Sequence, residues 1–190
     1  MYINKIPTAG EKRGPWTIKS SQVKYQNDWM LVREDEVLRP DGKDGIYGVV
    51  EACFGVMVLP MDEEGNVFLV KQYRYGVERE TLEVVSGGID EGENPINAAK
   101  RELLEETGLM ASEWIEMGKV DPFTSIVRAP SWLFLAKKLE KTEAHQDDTE
   151  NIELVKIPFA QAVKMAMDDE ISEGVGQLLI FKVNEKLKNG

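Results

Sequence analysis

Residues 87–109 read GGIDEGENPINAAKRELLEETGL, and this stretch decides the fold. Pro95 suits the first helical position, where its missing N–H has no intrahelical partner. Asn94 can cap just before it, and Gly108 can end the helix in a left-handed conformation. The spacing predicts a helix from Pro95 to Thr107. At about 100° per residue, Glu102, Glu105 and Glu106 project into one sector about 100° wide, beside an apolar stripe of Ile96, Ala99 and Leu103. Like charges three and four residues apart destabilise an isolated helix by about 0.2–0.5 kcal/mol per pair. Arg101 can pair with Glu105 at i,i+4, but one guanidinium does not neutralise Glu93, Glu102, Glu105 and Glu106 together. A hard divalent cation would: Mg²⁺ takes oxygen ligands, keeps several waters and is held by one or two carboxylates together with substrate phosphates. On charge clustering alone, a solvated acidic face with i,i+4 pairing is the competing reading.

Outward from this helix, the pattern is mostly strand. A short strand from Leu82 to Val85 delivers the chain to Gly87. Before it, ValPheLeuValLysGln follows a turn at Asp62–Asn66, and an apolar run from Val49 to Leu59 reads as a buried strand. From Trp16 to Leu38, two alternating segments flank Gln26, Asn27 and Asp28 and predict a β-hairpin, followed by a loop at Pro40–Gly45. Beyond the helix, strands are expected near Trp114–Val120, Trp132–Leu139 and Ile152–Ile157. Two helices follow, over Phe159–Met167 and Val175–Leu187. This order predicts an α/β (α+β) architecture, a mixed β-sheet sandwiched between helices with an N-terminal antiparallel hairpin extension.

Composition narrows the function classes. The chain has 190 residues, 42% hydrophobic and 30% charged, which suits one domain with a real core. No apolar run approaches the roughly 18–20 residues that span a bilayer, and the N-terminus lacks the apolar core of a secretory signal, so a cytoplasmic protein is expected. A formal net charge of −11 argues against nucleic acid or an anionic membrane as partner. It leaves room for a small anionic substrate, because a bound cation dominates the local field. Cys53 is the only cysteine, which removes intrachain disulfides and cysteine zinc sites; its apolar neighbours predict an inert core residue.

The stretch that opens this section resembles the Nudix box at every defined position. Gly87 is followed after five residues by Glu93, then after seven by Arg101, Glu102 and Leu103, and then by Glu105, Glu106, Gly108 and Leu109. The resemblance implies a Nudix fold and hydrolysis of a nucleoside diphosphate linked to another moiety, with two or three Mg²⁺ ions per site or Mn²⁺ in their place. It makes Glu102 and Glu106 the main metal ligands, Glu105 an additional one, and the Ser86 carbonyl a further donor. Glu93 and Arg101 would orient the ligating carboxylates. The run LysGlnTyrArgTyr followed by LeuGluValValSerGlyGlyIleAsp resembles the ADP-ribose and nucleotide-sugar pyrophosphatase branch. There Arg74 contacts substrate phosphate, as suits a planar bidentate donor.

The same branch implies a glutamate from the acidic loop between Glu140 and Asn151 as general base or further metal ligand. Glu150 fits that place, with Asp148 as the alternative; His145 has no partner at motif spacing. It further implies a homodimer with composite active sites, in which residues 1–45 serve dimerisation and base binding and residues 46–190 form the hydrolase domain around box 87–109. Trp29 and Arg33 then become candidate substrate contacts, whereas Tyr25 reads first as packing; Arg128, just before AlaProSer, reads as a further phosphate contact or a loop charge. The expected reaction cleaves the pyrophosphate of a nucleotide sugar, ADP-ribose or GDP-mannose in type. The alternative is a catalytically silent Nudix domain that binds a nucleotide sugar as a sensor. RNA decapping is disfavoured by the acidic charge.

Overall fold

The computed structural model describes residues 6–142 and 152–189. In chain order its strands are β1 (Lys12–Arg13), β2 (Trp16–Gln26), β3 (Met30–Leu38), β4 (Asp44–Ala52), β5 (Gly55–Pro60), β6 (Asn66–Arg74), β7 (Arg79–Glu83), β8 (Val85–Gly88), β9 (Leu109–Val120), β10 (Val127–Arg128), β11 (Ser131–Lys141) and β12 (Glu153–Pro158). The helices are α1 (Pro95–Thr107), α2 (Phe159–Met167) and α3 (Gly174–Lys188), and a single 3-10 turn spans Tyr75–Val77. The chain divides into two compact units: Met1–Phe54 with Asp121–Pro130, and Gly55–Val120 with Ser131–Gly190.

The first unit is one sheet in the order β1-β2-β3-β4-β10, antiparallel except that β10 runs parallel to β4. Its hairpin turns where the polar GlnAsnAsp run is expected to turn it. The Asn27 side-chain oxygen accepts the N–H groups of Trp29 and Met30 at 2.9 and 2.8 Å, the short-range bonding that makes asparagine a turn residue. Strand alternation then buries Leu31, Arg33, Asp35 and Val37 along β3.

The run Val49–Leu59 departs from its reading as a single buried strand. It breaks at Cys53–Phe54 into β4, which pairs with β3, and β5, which pairs with β8 and β11 in another sheet. Apolar composition continues across the break because both strands bury side chains. Nothing in hydropathy marks where a chain leaves one sheet for the next.

The second unit holds a mixed sheet, β8-β5-β11-β9, in which β5 and β11 are parallel, and an antiparallel sheet, β12-β6-β7. Its core joins Leu59, Leu69, Leu133 and Leu135 from the strands to Ala162, Ala166, Leu179, Ile180 and Val183 from α2 and α3. Full burial of one such leucine contributes roughly 1.5–3 kcal/mol. Val56, Val58 and Phe134 alternate to the other face of the mixed sheet, where α1 packs with Ala98, Ala99 and Leu103 buried. Helices thus cover both faces, the sandwich expected from the element order. Among the described residues, no helix is long and apolar enough to cross a membrane.

Candidate active site

Helix α1 begins and ends on its expected residues. Asn94 caps it through its side chain, which accepts from Asn97 N at 2.9 Å, Pro95 opens it, and Gly108 closes it at φ 67°. This places the glutamate face against β8. The approach is so close that a Cβ added to Gly87 would stand 1.9 Å from Glu102 Cδ and would push that carboxylate away from β8. One turn on, Glu106 accepts the backbone N–H of Ser86 at 3.2 Å. Both carboxylates therefore lie against the two-residue segment Ser86–Gly87, with Glu106 buried and the Glu102 side chain 13% exposed.

Arg101 organises the rest. Its guanidinium donates to Glu93 at 3.0 and 3.3 Å, to Glu102 at 2.7 Å, to Glu105 at 3.1 Å and to the Gly88 carbonyl at 2.8 Å. One cation thus spans three carboxylates and ties the helix to β8. Glu93 also accepts from Asp90 N at 3.1 Å, and the Arg101 bond holds its carboxyl below the usual range. Glu102 responds in the opposite direction: burial pushes its carboxyl up despite the arginine beside it. A buried carboxylate whose charged form is under-compensated, beside a second buried carboxylate on the same strand segment, is a hard-oxygen donor set that fits a divalent cation.

Glu105 stands apart from this pair, exposed and turned to Arg101. Among the described residues, no three His, Cys, Asp or Glu side chains form a metal-ligating group. The loop candidates Glu150, Asp148 and His145 lie outside the described residues.

Arg74 closes β6 and reaches across to β7. Its Nε donates to both oxygens of Glu83 at 3.1 and 3.2 Å, and its Nη2 to one of them at 2.6 Å. Thr81 Oγ1 adds a bond to Glu83 at 2.6 Å. Burial alone would raise the Glu83 carboxyl; Arg74 and Thr81 more than offset it and hold it below the ordinary range. Residue type and alternation place Glu83 in a buried strand, a signal that a cationic partner is needed, yet the sequence reading did not single it out. It also missed Glu173, whose side chain caps α3 by accepting from Val175 N at 2.9 Å and from Gly176 N.

The remaining candidates belong to the first unit. Trp29 is 71% exposed at the hairpin tip. Arg128 is partly exposed, 3.5 Å from Glu51 and over the Phe54 ring at 5.4 Å. Arg33 is 1% exposed, with Nε 3.1 Å from Asp35 and Nη1 bonded to Glu51. Its alternation in β3 points it inward beside Asp35, where a cation persists only if paired. Tyr25 is corrected, since it is exposed rather than packed, and Cys53 is half-buried, with its thiol 3.7 Å from the Trp29 carbonyl. A cavity of about 190 Å³ opens between Trp16 and Tyr47, whose rings meet edge to face, with Val37 and the Asp35 carboxylate in its lining.

Comparison with known proteins agrees with this arrangement. Residues 53–177 match the NUDIX domain, and residues 16–50 match the nucleoside diphosphate sugar hydrolase N-terminal domain. The chain is 30% identical to the ADP-ribose pyrophosphatase of Bacillus subtilis over 145 residues, 72% of this chain and 75% of that protein. It is likewise 30% identical to the ADP-ribose pyrophosphatase of Mycobacterium tuberculosis over 160 residues, 82% of this chain and 77% of that one. A crystal structure of an ADP compounds hydrolase superposes with a TM-score of 0.82 over 94% of this chain and 97% of that chain, at 24% identity, and shares the fold. With the domain match running through the box helix, its glycine strand and most of the second unit, the chain belongs to the Nudix family of hydrolases.

Proposed function

We propose that this chain hydrolyses the pyrophosphate bond of a nucleoside diphosphate sugar, with ADP-ribose the first candidate and GDP-mannose the second, to a nucleoside monophosphate and a sugar phosphate. The observation that carries this reading is the convergence of Glu102 and Glu106 on Ser86–Gly87, with Arg101 shared among three carboxylates. The ADP-ribose pyrophosphatase relatives support the substrate class.

Glu102, Glu106 and the Ser86 carbonyl would hold Mg²⁺, or Mn²⁺ in its place, two or three ions per site, with Glu105 and Glu150 as further ligands. Such ions polarise phosphoryl oxygens and make water a better nucleophile at neutral pH. Glu93 and Arg101 fix the orientation of Glu102. Arg74 takes charge from a substrate phosphate, and Arg128 a second phosphate contact. The general base is a carboxylate, Glu150 or Asp148, that removes a proton from the attacking water. Trp29, exposed at the hairpin tip, supplies an aromatic face for the base. Residues 1–45 serve dimerisation and base binding and residues 46–190 hydrolysis, in a cytoplasmic homodimer with composite sites.

The test is a panel of ADP-ribose, GDP-mannose, UDP-sugars, NADH and nucleoside triphosphates with Mg²⁺ or Mn²⁺, read by product chromatography. Release of AMP and ribose 5-phosphate from ADP-ribose, dependent on the metal, is the expected result. Turnover of triphosphates alone overturns the nucleotide-sugar assignment, and tight nucleotide-sugar binding without hydrolysis replaces it with a sensor.

A further inference from the structure

Among the described residues, one face of β6 and β7 carries a buried hydrogen-bond donor without an acceptor. Gln72 stands opposite Thr81 in register, and Val70 opposite Glu83, so Gln72 and Glu83 are diagonal neighbours on that face. Diagonal positions in an antiparallel pair lie roughly 7–8 Å apart, within reach of a long side chain. Gln72 is 9% exposed, and its Nε2 is buried with no hydrogen-bond partner among the described residues. Native proteins seldom leave such a donor unpaired, because its lost hydration is not replaced.

The neighbouring acceptor is occupied. The Nε–Nη2 edge of Arg74 is laid along the Glu83 carboxylate, and Thr81 fills a further position on it. That edge is a parallel donor pair of the kind that grips a phosphate. Turning it to a substrate would strip a buried carboxylate of its main partner, a strongly unfavourable change unless another donor takes over.

We propose that Gln72 is that donor. When Arg74 offers its Nε–Nη2 edge to a substrate phosphate, Gln72 Nε2 moves onto the vacated Glu83 oxygen, which keeps the carboxylate hydrogen-bonded through Gln72 and Thr81. Gln72 is therefore a positioning residue that acts on substrate affinity through Glu83 and Arg74. The inference rests on the reading of Arg74 as a phosphate contact.

The test compares wild type with Gln72→Met, which keeps the side-chain length and removes the donor, and with Gln72→Leu as a second apolar replacement. The free protein loses an unpaired donor, so its urea midpoint stays level or rises. The KM for ADP-ribose rises about tenfold, the size of one hydrogen bond to a charged group, while kcat stays within about twofold. In a Glu83→Gln background, where no buried charge needs a replacement partner, Gln72→Met adds less than about twofold to KM, a non-additivity diagnostic of coupling. An unchanged KM in both apolar variants overturns the inference alone. So does a rise in KM that comes with a lowered urea midpoint and persists in the Glu83→Gln background, which marks a structural role. A wild-type chain that turns over none of the nucleotide sugars overturns the pyrophosphatase reading, and this inference with it.

Discussion

Two charge clusters in this molecule are built from the same residue types and behave differently. In the first unit, Arg33 and Arg128 meet Asp35 and Glu51, two cations against two carboxylates, with Arg33, Asp35 and Glu51 all buried. In the second, among the described residues, Arg101 bonds to Glu93, Glu102 and Glu105 together, while Glu106 accepts the Ser86 amide one turn away. The balanced cluster joins adjacent strands of one sheet and, apart from the exposed Arg128 at its edge, reads as structure. The unbalanced one keeps carboxylates against a glycine strand where a cation would be welcome, and reads as function. Charge surplus, more than burial or charge count, separates the two.

Removing surplus charge should therefore cost activity and spare the fold. Glu106→Gln is expected to lower Mg²⁺-dependent turnover on the order of a thousandfold, ~4 kcal/mol of barrier, with the urea midpoint unchanged or raised. Gly87→Ala should come close to it, since the new Cβ would stand 1.9 Å from Glu102 Cδ and drive that carboxylate off β8. Steady-state kinetics beside urea unfolding reads both variants. Retained turnover in Glu106→Gln would break the comparison at its functional end.

The balanced cluster should respond the opposite way. Glu51→Ala leaves the buried Arg33 with Asp35 alone and its Nη1 without a carboxylate, and breaking one arm of a buried charge pair costs about 3 kcal/mol. Urea unfolding should record that loss, with kcat of the folded fraction little changed. A stable Glu51→Ala protein with impaired kcat would make this cluster part of the site and erase the distinction.

Arg101→Lys tests the hinge between the two behaviours. A lysine keeps one charge but cannot bond at once to Glu93, Glu102, Glu105 and the Gly88 carbonyl. Turnover should fall about 10- to 100-fold, the usual effect of losing a group that orients metal ligands. An effect below about twofold would mean that Glu102 is held by Gly87 alone.

How much of this was legible in the sequence follows from range. Helix α1 was read to its end residues because Asn94, Pro95 and Gly108 act on their own neighbours. The strands flanking it, the hairpin and the two final helices follow from periodicity in the same way. The break at Cys53–Phe54 was not legible, because it depends on which strand each half finds as a partner, and β3 and β11 are distant in the chain. Within the site, the box carried Glu93, Arg101, Glu102 and Glu106 together, since spacing on one helix and the turn leading into it is a local fact. The surroundings of Arg33 were not legible for the complementary reason: its burial comes from alternation in β3 combined with Glu51 on β4, a cross-strand pairing that no motif encodes. Glu83 was passed over because its significance appears only once β7 is laid beside Arg74 on β6.

The smallest effect concerns a third kind of charge pair, balanced like the first cluster but open to solvent. Asp62 accepts from Lys156 Nζ at 2.8 Å and from Asn66 N at 2.8 Å in the turn between β5 and β6. Burial would raise its carboxyl, but the lysine and asparagine bonds more than offset it and lower it from 3.8 to about 2. A carboxylate lowered in the folded state contributes stability that is fully present above its unfolded value near 3.8 and is lost as pH falls through about 2. Lys156 is 47% exposed, so screening limits the contribution to at most about 1 kcal/mol. Wild type should thus lose more urea stability than Asp62→Asn as pH drops from about 4 to about 2, and the two curves should run parallel above it. A gap larger than the loss in Glu51→Ala would show that solvent exposure does not set the worth of a balanced pair, leaving surplus charge as the only distinction between the clusters.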